Sequence, residues 1–265
     1  MIIGVTGYRG RLGTALTEIG CKPISANIIS RDELNRAIAT IEPDVIINCA
    51  GRTDVDACED DIVETYQTNT FGLQNIASVF SGKIVHISTD YIFDGLKGKY
   101  TETDRPSPIN TYGFSKLFAE VFLRKIQSAL VIRTTILYGS NANCRRSDFV
   151  KTVYNKLSGK QLIKCPELYG NPTNVKHLAI GIIDAIEKNL VGIYNISGKD
   201  YVSRYELGQK IAEYFGFDKK MVVKGEPYGS AKRLTYGGFD LTKSFSANIP
   251  LFSLEDGLKE FQKTL

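Results

Sequence analysis

Soft metal ligands are scarce in this sequence. Two histidines and five cysteines stand among 265 residues, and the cysteines (Cys21, Cys49, Cys58, Cys144 and Cys165) are odd in number and scattered, with no C-x-x-C pair. No metal site is expected. No apolar run approaches the ~20 residues that a membrane-spanning helix needs, so no membrane partner is expected either. An excess of one charge is missing too: the formal net charge is +4 and dispersed, which argues against nucleic acid as the main partner. A mildly basic pocket for a diphosphate fits that balance equally well. Low-complexity tracts are absent. The opening MIIGVTG lacks the basic and long apolar regions of a secretory leader, and a reducing, cytoplasmic setting is the expectation.

What is present is ordinary for a globular chain, 43% hydrophobic and 23% charged. The length suits one large α/β domain with a smaller lobe. Residues 2–6 (IIGVT) read as a strand ending in a glycine-rich turn, and residues 12–19 as a helix. Ser30-Arg31-Asp32-Glu33 reads as a capping box that starts a helix carrying Leu34, Ile38 and Ile41 on one face, closed by Pro43. Residues 45–50 (VIINCA) form a continuous apolar run, as in a parallel strand buried on both faces. A long helix is predicted over 61–80, a strand over 83–88 (KIVHIS), a polar loop over 94–110, a helix over 111–127 and a strand over 129–134. This alternation implies a doubly wound parallel sheet, a Rossmann architecture, with helices on both faces.

Beyond Tyr138 the rhythm breaks. Helices are predicted near 147–158, 174–189 and 203–216, with short strands around 161–164 and 192–196 and a capping box at Ser203–Glu206. Residues 1–140 are read as the dinucleotide-binding domain, 174–196 as a return to its sheet, and 141–265 otherwise as a smaller substrate lobe.

Two motifs carry chemistry. In TGYRGRLG, Gly7, Gly10 and Gly13 are spaced three apart between a strand and a helix. One glycine makes the tight turn, one lets a pyrophosphate touch bare backbone, and one lets helix pack on strand. The helix start then offers unpaired N–H groups and partial positive charge to the phosphates. The second motif is Tyr112-Gly113-Phe114-Ser115-Lys116 on a predicted helix, where the spacing of four puts Tyr112 and Lys116 on one face. A lysine ammonium at ~5 Å couples to a phenolate by ~3 kcal/mol at an effective dielectric near 20, so a lowering of the phenol pKa by up to about two units is expected. Such a phenol can donate a proton to a carbonyl oxygen. Tyr228 and Lys232 repeat the spacing, as chance allows among fourteen tyrosines. Tyr112 differs in following a buried strand that ends in Ser88-Thr89-Asp90, at the sheet edge where ligands bind in such folds.

With TGYRGRLG, STDYIFDG (88–95) and YGFSK in this order, the chain resembles the extended short-chain dehydrogenase/reductases. Within them it is most similar to the dTDP-4-dehydrorhamnose reductase family, through PDVIINCAGRTDVDACE (43–59), YTETDRPSPINTYG (100–113), RTTILYG (133–139), YGNPT (169–173), GIYNISG (192–198) and FDLTKSF (239–245). The resemblance implies reduction of a nucleotide-linked 4-keto-6-deoxy sugar to the 4-hydroxy sugar by NADPH, with NADH as the other possible donor. It implies a triad in which Thr89 holds the keto oxygen, Tyr112 protonates it, and Lys116 holds the cofactor ribose and tunes Tyr112. Gly7, Tyr8, Arg9, Gly10, Arg11 and Leu12 are implied at the pyrophosphate, Asn27 near the adenine, Ala50 and Gly51 along the nicotinamide ribose, and Ser88 at the cofactor. Thr53, Val55, Asp90 and Tyr91 are implied to face the sugar. A homodimer is possible.

Three departures stand out. The chain has no tryptophan, and Ile136 stands where the family places one against the hexose. The segment CKPISANII leaves little room for a full second strand, and Asn27 stands where an aspartate near the adenine is common. The missing acid, with Arg9, Arg11 and Arg31 nearby in sequence, favours NADPH. The short segment and the tail also resemble the reductase domains of UDP-rhamnose synthesis, so the nucleotide base stays open between dTDP and UDP.

Arg145, Arg146, Lys232 and Arg233 are candidates for the substrate diphosphate, Arg233 first. His86 is expected to be a satisfied core residue, His177 to lie at the surface, and Cys49 and Cys58 to be packing residues. Two other readings share the fold: a sugar-nucleotide epimerase or dehydratase, and a non-catalytic NADP-binding regulatory subunit.

Overall fold

The computed structural model describes residues 1–139 and 147–265; the candidates Arg145, Arg146 and Cys144 lie outside the described residues. Six strands form the central sheet: β1 (Ile3–Thr6), β2 (Lys22–Pro23), β3 (Val45–Asn48), β4 (Lys83–Thr89), β5 (Leu130–Thr134) and a strand at Gly192–Asn195. Each pairs in parallel with its neighbours, in the spatial order Gly192–Asn195, β5, β4, β3, β1, β2. The chain runs outward from β1 to β2 and then crosses to β3 on the other side. The gap between β1 and β3 is therefore the switch point where doubly wound sheets open a crevice.

Side-chain alternation makes the layers. Val5, Ile47, Val85 and Ile132 face one way into a core closed by α1 (Arg11–Glu18) and by a helix at Val175–Glu187. Ile46, Ile84 and Val131 face the other way, under α2 (Arg31–Ile41), a helix at Gly72–Val79 and a helix at Thr111–Leu123. Each fully buried aliphatic side chain contributes about 1.5–3 kcal/mol, which fixes the strand register as well as the packing.

Between β3 and β4 run α3 (Val55–Asp60), α4 (Ile62–Tyr66), a π turn at Gln67–Phe71 and α5 (Gly72–Val79). The single helix expected over 61–80 is thus present with one widened turn. The helix expected over 111–127 is α6 (Thr111–Leu123). Beyond β5 come β6 (Leu137–Tyr138), α7 (Phe149–Ser158), β7 (Ile163–Cys165), β8 (Tyr169–Gly170), β9 (Thr173–Asn174), α8 (Val175–Glu187) and β10 (Gly192–Asn195). The chain ends through β11 (Val202–Ser203), α9 (Arg204–Tyr214), β12 (Val222–Lys224), α10 (Thr242–Ser246) and α11 (Leu254–Gln262). A separate apolar cluster joins α7, α9 and α11 through Val150, Val153, Leu207, Ile211, Leu258 and Phe261. Leu234, Phe239, Leu241, Ile249 and Leu251 instead pack into the main core with Val5 and Ile182.

Two local expectations change. The Ser203 capping box forms in both directions. At Ser30 only half of one does: the hydroxyl accepts from the Glu33 amide, but the Glu33 carboxylate accepts from the Asn27 amide instead of closing back on Ser30. The second strand is two residues long, as CKPISANII allows.

Candidate active site

A cavity of about 1030 Å³ opens at the carboxyl ends of β1, β3, β4 and β5. That exceeds the ~300–1,000 Å³ usual for one small ligand. Of the residues predicted from sequence, Tyr8, Arg9, Gly10, Arg11, Leu12, Ala50, Gly51, Thr53, Val55, Ser88, Thr89, Asp90, Tyr91, Tyr112 and Lys116 line it. Gly7, Asn27 and Arg233 do not.

The glycine turn forms one wall. Gly7 holds φ +64°, and a Cβ there would lie 2.5 Å from the Ala50 amide nitrogen. A Cβ on Gly13 would lie 2.3 Å from the Gly7 carbonyl oxygen, so only hydrogen lets α1 sit this close to the turn. Gly7 therefore shapes the wall from behind without lining it. Gly10 is the N-cap of α1 and brings no side chain to cap the first turn, which leaves a bare helix start facing the cavity. These are the features a dinucleotide pyrophosphate requires, and the residues present fit one.

The basic residues divide. Arg9 is exposed at the mouth, its guanidinium 5.3 Å from the Tyr8 ring centroid. Arg11 lies 3.9 Å from Asp148, the N-cap of α7. Arg31 donates to Asn75 on α5. Asn27 is exposed, and its carboxamide accepts from the Ile29 amide in a local turn. After β2 come Ile24 and Ser25, with the Ser25 hydroxyl 3.3 Å from that of Tyr8 and no carboxylate at the strand end.

The reactive wall is built by β4 and α6. Asn110 caps α6 by accepting from the Gly113 amide, while its own NH2 donates to the Lys232 carbonyl. Glu59 on α3 accepts from both the amide and the hydroxyl of Thr111. A Cβ on Gly113 would strike the Tyr91 carbonyl oxygen at 2.0 Å, so the glycine after Tyr112 is what lets α6 lie against the end of β4. Asn69 in the π turn donates to the Ser115 hydroxyl and accepts from the Arg52 amide, and Thr70 donates to the Ser115 carbonyl. The widened turn thus clamps α6 between Tyr112 and Lys116 and ties it to the loop after β3, a common use of π turns near functional sites.

Tyr112 is buried, its ring 5.7 Å from that of Tyr91 and nearly edge-on. Burial pushes its phenol above the usual tyrosine range, and the Thr89 hydroxyl beside it works the other way. The lowering expected from Lys116 does not prevail: desolvation is the largest influence and leaves the phenol above its ordinary range. Lys116 is itself pulled down to about 8 by burial, against the opposing pull of Glu120 and Cys49. Its Nζ lies 3.0 Å from Nε2 of His86. His86 is the buried, hydrogen-bonded core residue expected, with one end of its ring on the candidate catalytic lysine.

Asp90 is buried and accepts from the Thr135 hydroxyl at 2.8 Å and the Gly238 amide at 3.0 Å. The Ser88 hydroxyl lines the cavity yet donates to Glu120, which also binds the Arg133 guanidinium at 2.7 Å. Arg233 pairs with Asp56 at 2.6 Å, away from the cavity lining. Tyr228 is exposed and stands on no helix, so the Tyr228/Lys232 repeat builds no site.

Sequence reasoning missed Arg204. It is the first residue of α9 and lines the cavity with its guanidinium 4.8 Å from the Phe149 ring centroid. Its only signal was a position inside a capping box. Ile136, at the place of the family tryptophan, lines the cavity at φ +50°, in the left-handed region that β-branched residues avoid. His177, expected at the surface, is half-buried and stacks on Phe252 with ring centroids 4.0 Å apart. Among the described residues no cluster of side chains is set to hold a metal, and no helix is long and apolar enough to cross a membrane.

The family described as RmlD substrate binding domain matches residues 1–264. The chain is 31% identical over 270 aligned positions, 90% of each chain, to the dTDP-4-dehydrorhamnose reductase of Aggregatibacter actinomycetemcomitans. It is also 28% identical to the methionine adenosyltransferase 2 subunit beta of Danio rerio, covering 83% of this chain and 75% of that one. Its fold matches the crystal structure of a Bacillus anthracis dTDP-4-dehydrorhamnose reductase in complex with NADP, at a TM-score of 0.89 and 29% identity over the whole of both chains. With its glycine turn, its six-stranded parallel sheet and a family match from end to end, the chain belongs to the RmlD substrate-binding family, a Rossmann-fold group of the extended short-chain dehydrogenase/reductase type.

Proposed function

We propose that the protein reduces the keto group of a nucleotide-linked 4-keto-6-deoxy sugar, of the dTDP- or UDP-4-dehydrorhamnose type, with NADPH as hydride donor. The observation that carries this reading is the convergence of Thr89, Tyr112 and Lys116 on the same cavity as the bare glycine turn. Bound in that cradle, the dinucleotide supplies a hydride at its nicotinamide; everything else falls to side chains. Gly7, Gly10 and Gly13 shape the pyrophosphate seat, with Tyr8, Arg9, Arg11 and Leu12 around it, and Ala50, Gly51 and Ser88 on the nicotinamide side.

A reductase needs its acid protonated at the start of the cycle. The buried Tyr112 phenol is in that form throughout the neutral range. Thr89 holds the carbonyl oxygen toward it, and the Lys116 ammonium steadies the charge left on the phenol. Thr53, Val55, Asp90 and Tyr91 face the hexose. Arg204, rather than Arg233, is the cation placed to meet an anionic group of the substrate, since Arg233 already has Asp56. NADPH is favoured over NADH because β2 ends without a carboxylate and Arg9 is exposed at the mouth.

The test is a panel of dTDP- and UDP-4-keto-6-deoxyhexoses followed by loss of absorbance at the reduced nicotinamide band. One mole of NADPH consumed per mole of sugar supports a reductase. Sugar conversion without net consumption indicates an epimerase or dehydratase. Tight NADPH binding without turnover on the whole panel indicates a binding subunit.

A further inference from the structure

Thr6, Asn48 and His86 occupy one register row across β1, β3 and β4. All three are buried, in the row directly beyond Ile46 and Ile84 on the same apolar face. The Thr6 hydroxyl donates to Asn48 Oδ1 at 2.6 Å, Asn48 Nδ2 lies 3.2 Å from His86 Nδ1, and His86 Nε2 lies 3.0 Å from Lys116 Nζ. At the far end the Ala50 amide donates to the Thr6 hydroxyl at 3.4 Å, beside the Gly7 turn. A polar row through a sheet core is costly unless every member is satisfied, and this one ends at the cavity on both sides.

We propose that His86 is a positioning residue that acts through Lys116: the imidazole fixes the lysine nitrogen in place, and its tautomer is locked to the lysine's protonation state. The bonding rules fix this arrangement for the ammonium, which can only donate, and permit it for the amine, whose lone pair can accept. A neutral imidazole has one N–H and one acceptor nitrogen. When Lys116 is an ammonium it donates to Nε2, the ring proton sits on Nδ1, and the Asn48 amide is flipped, its oxygen accepting from Nδ1–H and its NH2 donating to the Thr6 hydroxyl. When Lys116 is an amine, Nε2–H donates to it, Nδ1 becomes the acceptor, and Asn48 turns its NH2 inward. The ring carries one proton in both states, and the proton that lysine loses goes to the cavity.

Burial and the nearby ammonium both hold His86 well below its ordinary pKa, so the ring stays neutral. The other groups facing the pair leave the coupling to Lys116. Glu120, one turn further along α6, is occupied by Arg133 from β5 and by Ser88. The Cys49 thiol after β3 is kept protonated by burial, as is the Tyr112 phenol one turn earlier on α6. Asp90, after β4, is engaged by Thr89, Thr135 and Gly238.

The inference deepens the reductase reading, and its kinetic arm rests on it; its spectroscopic arm does not. The chain has only two histidines, so a 15N-histidine-labelled sample shows two rings in a long-range 15N–1H correlation. From about pH 6 to about pH 10, His86 is expected to pass from the Nδ1–H to the Nε2–H tautomer with a midpoint near that of Lys116, about 8. In Lys116→Met one tautomer should persist throughout. A tautomer that is constant in the unaltered protein, or a midpoint that survives in Lys116→Met, overturns the proposal.

In turnover, His86→Leu removes the acceptor from a buried ammonium. The alkaline limb of kcat should then move down by about one to two pH units, with KM changed less than about twofold. His86→Gln, able to accept and donate, should restore most of the shift. An unmoved limb in folded His86→Leu overturns the proposal, whereas no turnover by the unaltered protein on any sugar of the panel counts against the reductase reading and leaves the spectroscopic result standing.

Discussion

Burial governs the titrating residues of this site, and it does so with opposite signs for acid and base. It raises Tyr112 and lowers Lys116, so the phenol keeps its proton to high pH while the ammonium begins to lose its own near 8. Turnover should therefore fall on the alkaline side from about pH 8, with Lys116 as the titrating group, and a pH profile of kcat checks this. His86 gives a matching effect on stability. Its folded pKa lies well below the ordinary 6.5, so as pH falls past about 6.5 the unfolded chain binds a proton that the folded one refuses, and stability drops. His86→Leu should show a smaller loss of urea midpoint between pH 7 and pH 5 than the unaltered protein. An equal loss would mean that the imidazole is already charged in the fold.

At the scale of elements, the site depends on how α1 and α6 are held. Replacing Gly13 by valine sets a branched side chain against the Gly7 carbonyl and the Tyr8 backbone, where even a Cβ comes within 2.6 Å. NADPH affinity, read by fluorescence titration, should fall at least about tenfold. Both of these elements were legible in the sequence, because glycine spacing and a four-residue Tyr–Lys interval are local patterns. What holds them was not. Glu59 reaches the start of α6 from 52 residues away and Asn69 reaches Ser115 from 46, distances over which no periodicity speaks. The same limit explains His86: strand alternation placed it in the core, but its lysine partner lies 30 residues on. Asn27, implied by likeness to a family pattern, and Arg233, a candidate through its charge, stand outside the cavity lining, where a local turn and an ion pair with Asp56 take up their side chains.

For the whole molecule, the pair of Glu120 and Arg133 joins α6 to β5 with both side chains essentially without solvent contact. Removing one partner strands the other charge in the core. Glu120→Ala should cost about 3–5 kcal/mol, seen as a melting temperature lower by on the order of 10 °C. A loss below about 1 kcal/mol would show that the arginine finds water or another acceptor. The layered architecture itself was readable from alternating strands and helices. The packing of Leu234 to Leu251 into the main core was not, since that stretch has little secondary structure of its own.

The most direct measurement is single-turnover reduction by Tyr112→Phe beside its NADPH dissociation constant. The expected result is a rate lower by about 10²–10⁴-fold with NADPH binding within about twofold of the unaltered protein. A variant that still reduces the sugar nucleotide at close to the original rate would contradict it.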